Sequence, residues 1–207
     1  MKLRIPFIPA PQHPTYAKPG LHLRWSLGWL RANFIYRPWW AIKASLNLMP
    51  TVHFGRRVSF MTGARPVGTA KSQIYLGDDC IIDSNPDFFL SQSSSVLKIG
   101  RNCYVNGSRF AVFQTITVGD NCIIADVRFM DTDFHSVDKN RIEAGALVKN
   151  APIVIHNNVW ISAGSAVLKG VTIGQDSVIA FGSVVVANVP PGKIFGGNPA
   201  KEIGTVV

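Results

Sequence analysis

The residue best suited to chemistry in this chain is a histidine in a polar stretch. His135 lies in DTDFHSVDKNRIEAGALVKNA, residues 131–151, with Asp131, Asp133 and Glu143 near it in sequence. An imidazole, with an ordinary pKa of about 6.5, can take a proton at neutral pH and so act as a general base. Such a base needs a carboxylate or a carbonyl to hold its ring in one tautomer. The spacing leaves the choice among the three acids open. The other histidines are placed less well. His13, His22 and His53 lie outside the patterned part of the chain, and His156 occupies a corner expected at the surface. Cys80, Cys103 and Cys122 lack the C-x-x-C spacing of zinc or redox sites. Two histidines in the patterned region are too few for a three-histidine zinc site. No metal is expected.

The polar stretch interrupts a strong period. Between Ile155 and Pro191 an aliphatic residue returns at every sixth position: Ile155, Ile161, Val167, Ile173, Ile179 and Val185. Four residues after each comes a small or β-branched one: Val159, Ser165, Val171, Ser177, Ser183 and Val189. A period of six belongs neither to a helix nor to an ordinary strand. Six residues make one short strand and one turn. Three such units close a triangular coil of about eighteen residues, and stacked coils bury the aliphatic column. The expected fold is all-β, a left-handed parallel β-helix. The alternative, a β-sandwich of short strands, fits poorly, because its strands alternate at two and its turns come at about 8–12 residues.

Upstream the repeat begins weakly near Phe54 and Phe60 and is clear at Leu76 and Ile82. It returns at Ile99, Val105 and Ala111, then at Val118, Ile124 and Met130. Residues 86–97 read as an irregular excursion. The three cysteines each fall four residues after an aliphatic position (Leu76, Ile99, Val118), in the column of small packing residues. In the recurring I-G-x-N/D-x motif the glycine is expected to take positive φ, with Asn or Asp bonding back to the backbone.

The chain divides into three parts. Residues 1–50 form a basic arm with five prolines in its first 20 residues, then a helix over 21–48 broken near Pro38. Residues 51–191 form the β-helix, with 131–151 as an inserted loop of the kind that carries function. Residues 192–207 form a tail that leaves the coil. With 47% hydrophobic and 16% charged residues the chain is built to fold. It has no apolar run long enough to span a membrane and no convincing signal peptide, so a cytoplasmic location is expected. The net charge of +9 is uneven: residues 1–77 hold eleven Lys or Arg and no Asp or Glu. A basic segment bearing Trp25 and Trp29 suits an anionic partner such as a membrane surface, a phosphate-bearing substrate or nucleic acid. The plainer reading packs it on the β-helix or on a neighbouring subunit.

Residues 76–204 resemble the hexapeptide-repeat acyltransferases, in the branch of galactoside, maltose and polysaccharide O-acetyltransferases. The likeness rests on IGRNCYVN (99–106), DTDFHS (131–136), NVWISAG (158–164), GVTIGQDSVIAFGSVV (170–185), VPPG (189–192) and GGNPAKEI (196–203). It implies acetyl transfer from acetyl-CoA to a hydroxyl of a sugar or cell-surface polysaccharide, by a homotrimer with sites between subunits, and no nucleic acid partner. It places His135 as the base, Asp133 beside it and the Ala163 amide as oxyanion donor. Asn106, Trp160 and Asp131 fall to the acceptor. Ser162, Ala180, Phe181, Gly182, Ser183 and Lys201 fall to the acetyl-CoA, Lys201 toward its phosphates. Val186-Ala187 departs from the Thr-Lys often found there, and Phe181 is larger than the usual Ala. The rivals are a non-catalytic β-helix scaffold and a serine acetyltransferase, which usually has a longer helical N-terminal domain than residues 1–50.

Overall fold

The computed structural model describes residues 21–207, with side chains from Ser26 onward. The arm over residues 1–20 and the Trp25 side chain lie outside the described residues. Three parallel sheets make the walls of a β-helix. The first contains Thr51–Phe54, Gln73–Leu76, Val96–Ile99, Thr115–Val118, Ile153–Ile155 and Thr172–Ile173. The second runs through Ser59–Phe60, Ile81–Asp83, Tyr104–Asn106, Ile123–Ala125, Trp160–Ile161 and Val178–Ile179. The third runs through Arg65–Gly68, Asp87–Leu90, Arg109–Val112, Arg128–Met130, Ala166–Leu168 and Val184–Val185. Every neighbouring pair among these strands is parallel, as a coil that always turns the same way requires. The hexapeptide period identifies the coil as left-handed.

The interior is a set of stacked columns. Leu76, Ile99, Val118, Ile155 and Ile173 are all buried at the first corner, and Ile82, Val105, Ile124, Ile161 and Ile179 on the second wall. The third wall departs from the expected phase. Its inward residues are Phe88, Phe110 and Phe129, each in register with the next, not Ala111 and Met130. The spacing from Val105 to Phe110, and from Ile124 to Phe129, is thus one residue short of the repeat. Phe110 and Phe129 stack at 4.6 Å and 8°, and Phe88 packs on Phe110 at 5.6 Å. Residues 86–97 are also more regular than expected. Asp87–Leu90 is an ordinary wall strand that contributes Phe88 and Leu90 to the core.

The corner motif works differently from its expected chemistry. The left-handed residue is the Asn or Asp two places after the glycine, Asp79 (φ 62°), Asn102 (54°), Asn121 (60°) and Asp176 (61°), and Asn158 (57°) at the corner where His156 replaces the glycine. Asn and Asp visit that region more readily than other L-residues, and here their side chains bond from coil to coil: Asn102 Nδ2 donates to Asn121 Oδ1, Asn158 Nδ2 to Asp176 Oδ1, and Arg57 to Asp79. The glycine answers a different need. A Cβ on Gly77 would stand 2.5 Å from the Gly100 carbonyl carbon, so successive coils approach backbone to backbone there. The cysteines are buried as expected. Each thiol donates to a corner carbonyl of the next coil: Cys80 to Gly100, Cys103 to Gly119 and Cys122 to His156. The neighbouring Cys103 thiol and burial push the Cys122 thiol well up, which keeps it an inert packing group.

The N-terminal helix closes the open end of the core. Helix α1 (Leu21–Arg31) passes through a π-helical turn (Ala32–Tyr36) into α2 (Arg37–Ser45). The helix does not break at Pro38. Proline has no N–H and crowds the carbonyl four residues back. The wide turn relieves this, with the Arg37 N–H reaching back to the Ala32 carbonyl and Pro38 seated in the first turn of α2. Trp40 meets Phe60 edge-on at 5.4 Å and Phe54 at 5.7 Å. At the other end the tail stays on the coil. Lys193–Gly197 joins the second wall parallel to Val178–Ile179, then turns back as the antiparallel strand Ala200–Thr205.

Candidate active site

The inserted loop leaves the third wall after Met130, and its neck is clamped. Thr132 and Asn150 form an antiparallel bridge. The Asp133 N–H donates to Lys149 O at 3.0 Å, and the Ala151 N–H to Asp131 O at 2.9 Å. Beyond the neck Phe134 turns in the left-handed region, at φ 58°, and packs on Phe89 at 6.2 Å. His135 follows, exposed. Among the described residues its ring has no hydrogen bond or ion pair, so it holds nothing up and is free to meet a ligand.

Of the three acids near it in sequence, Glu143 is exposed and its carboxylate has no partner among the described residues, whereas Asp131 and Asp133 are committed elsewhere. Asp131 is fully buried, and its two oxygens accept from the Phe113 N–H (2.6 Å) and the Gln114 N–H (2.7 Å). It ties the loop to the coil below and does not face an acceptor. Burial pushes its carboxyl up, and the amides of Phe113 and Gln114 pull against that shift. Asp131→Ala leaves two partly buried amides without acceptors. It is expected to cost about 2 kcal/mol, read as a lower denaturant midpoint with unchanged slope. Between the ordinary carboxyl value and the raised one the folded state holds more protons than the unfolded, so stability falls as pH rises through that window. Asp131→Asn removes that slope.

Asp133 pairs with Lys169 Nζ, one coil further on, and no hydrogen bond joins it to His135. Both side chains are about a quarter exposed, at 28% and 26%, so the pair is partly screened. Lys169 was not legible as a site residue, because its partner is supplied by coil stacking and not by sequence spacing. Asp133→Asn is expected to loosen the loop neck by up to about 1 kcal/mol. Turnover should stay within about tenfold of native. A loss as deep as that of a His135 variant would return Asp133 to the role of orienting group.

Apart from Trp160 on the second wall and Lys201 on the last strand, the other predicted residues gather at the corner between the second and third walls. Asn106 ends its strand beside Asp83 and Ala125, its Nδ2 donating to Tyr104 Oη at 3.1 Å. Trp160 stands outward on the second wall, between Ile123 and Val178, and is 48% exposed. Most of the amides predicted to bind cofactor are already used. Ser162 donates to Ile179 O, Ala180 to Phe195 O, Gly182 to Ala163 O, and Ser183 to Ser165 Oγ. Ser183 is buried and ties the coil to the C-terminal hairpin through the Gly197 N–H. Among the described residues the Ala163 and Phe181 N–H groups have no partner. They sit one coil apart at the same corner, joined through the Gly182-to-Ala163 bond. Phe181 is exposed, as is Lys201 on the last strand.

One chain does not bring these groups together. His135 lies past the end of the third wall, whereas Asn106, Ala163 and Phe181 lie before its start. A strand of three or four residues separates the two corners by about 10–13 Å. Among the described residues no three His, Cys, Asp or Glu side chains are grouped to hold a metal ion.

Comparison with known proteins agrees with the coil. Residues 152–187 match the family model described as bacterial transferase hexapeptide (six repeats), and residues 96–125 match the hexapeptide repeat of succinyl-transferase. The galactoside O-acetyltransferase of Escherichia coli (strain K12) is 37% identical over 119 residues, 57% of this chain and 58% of that one. The galactoside O-acetyltransferase of Lactococcus lactis subsp. lactis (strain IL1403) is 33% identical over 125 residues, 60% of this chain and 59% of that one. The chain thus spans less than two thirds of the length of these relatives. Among solved structures, a hexapeptide-repeat acetyltransferase from Vibrio cholerae, complexed with acetyl coenzyme A, is similar with a TM-score of 0.50. It is 23% identical, with 89% of this chain and 86% of that chain covered, which is a likeness of fold. On its repeats and its coil, the chain is similar to the hexapeptide-repeat transferases over residues 96–125 and 152–187.

Proposed function

We propose that the chain is an acetyl-CoA-dependent O-acetyltransferase acting on a hydroxyl of a sugar or cell-surface polysaccharide. The observation that carries the proposal is His135, exposed and unpartnered on a loop with a clamped neck. The sugar comes from the relatives, two of which are named galactoside O-acetyltransferases. His135 takes the proton of the acceptor hydroxyl as its oxygen attacks the thioester carbonyl. The free Ala163 N–H receives the charge that develops on the carbonyl oxygen, a task for which a fixed backbone donor suffices. The intermediate collapses with the thiolate of CoA as leaving group, which gains a proton. The Phe181 N–H and Lys201 serve the cofactor, Lys201 as a point charge for phosphate. The separation of the two corners favours a homotrimer, in which the loop of one copy reaches the Ala163 corner of the next. Free-thiol release from acetyl-CoA, measured over a panel of sugars and glycans, tests the reading. Acceptor-dependent release supports it. A chain that binds no acetyl-CoA is a scaffold instead.

A further inference from the structure

The helical cap has a second face that the fold does not use. Tyr36, Trp40 and Ala44 turn toward the core. Roughly opposite, Ile35, Trp39, Ile42 and Leu46 recur at helical spacing, and each is more than half exposed. This stripe does not hold the cap in place. That is done by the packing of Trp40 on Phe54 and Phe60, and by two arginines on carbonyls of the first coil. Arg31 donates to Met61 O at 2.7 Å, and Arg37 to Gly55 O at 3.1 Å. The cap covers the end of the coil stack, so its outer face looks away from the walls. Copies packed side by side through their walls leave it open.

Charge decides what fits there. The first 77 residues carry eleven basic side chains and no acidic one. The first acids after them, Asp78 and Asp79, are neutralised by Arg56 and Arg57. Of the described basic side chains, Arg31 and Arg37 are turned onto the first coil and Arg56, Arg57 and Arg65 are paired with acids, which leaves Lys43 as the charge placed on the stripe. Lys43 Nζ lies over the Trp39 ring at 5.2 Å, so the stripe ends in an amphipathic ring beside an amine. That pairing suits the headgroup level of a bilayer, where the ring meets both phases and a lysine stem can reach outward. We propose that the outward stripe of α2 docks on the surface of a bilayer bearing anionic lipid. It would lie in the interface and not cross it, and no helix among the described residues is long and apolar enough to span a membrane. In a trimer of parallel copies the three caps would face the same way and bind together.

The test is cosedimentation of the full chain with vesicles of phosphatidylcholine alone, or with about a third phosphatidylglycerol. The native chain is expected to sediment with the anionic vesicles and to be released by salt. Ile42→Ser/Leu46→Ser changes only exposed positions, so its melting curve should match native. Its binding is expected to fall by at least about tenfold. A native chain left in the supernatant with anionic vesicles overturns the proposal. So does a double variant that binds as well as native, which assigns the contact to residues 1–20. A double variant of smaller mass in sedimentation velocity assigns the stripe to a second copy, and also overturns it.

Discussion

His135→Ala is expected to lower acceptor-dependent thiol release from acetyl-CoA by about 10²- to 10⁴-fold, the span that a positioned general base contributes. It should leave the melting temperature unchanged, because the ring is exposed and has no partner among the described residues. That combination separates catalysis from support. Added imidazole is expected to restore part of the lost rate, since the vacated position opens to solvent and the small base can occupy it. Acetyl-CoA binding should persist, because the groups proposed to hold the cofactor lie at a different corner. A variant that keeps its rate within about threefold of native removes His135 as the base.

Phe110→Ala is expected to cost about 3–5 kcal/mol, the range for emptying a buried aromatic site. The ring is fully buried and sandwiched, stacked on Phe129 at 4.6 Å and tilted against Phe88 at 5.6 Å. Backbone hydrogen bonds between coils fix the spacing above and below, so the wall cannot collapse into the gap. Urea unfolding of native and variant chains reads the loss directly. Phe110→Leu retains most of the volume and should cost clearly less. Because Phe129 supports the strand from which the loop departs, the Ala variant should also lose turnover at temperatures below its unfolding transition. A variant within about 1 kcal/mol of native would mean that the aromatic column is not a continuous core.

The sequence by itself determined the architecture. A six-residue aliphatic period has few solutions that bury it, and the coil is one in which each column lands on its own kind. It also determined that the cysteines pack, because their register placed them in the small-residue column. Where the period failed, so did the reading. Val105 to Phe110 and Ile124 to Phe129 are a residue short, and a pattern counted in sixes placed Ala111 and Met130 inside instead. The corner glycines were read for their φ, yet their role is set by the coil beside them, a distance no local motif encodes.

For the site, sequence supplied the residue types and the tertiary structure supplied their commitments. The loop histidine stood out by its residue type, whereas the corner amides were named only from the family likeness, and most of them are already bonded within the coil. Which carboxylate was free was not legible. Asp131 is held by the amides of Phe113 and Gln114, and Asp133 by Lys169. Each partner is brought in by stacking and lies more than a dozen residues away in the chain. The third wall between His135 and Ala163 was equally hidden, because sequence order says nothing of which corner a turn occupies. A repeat determines how coils stack, and only the stacked coils decide which polar groups are left over for a substrate.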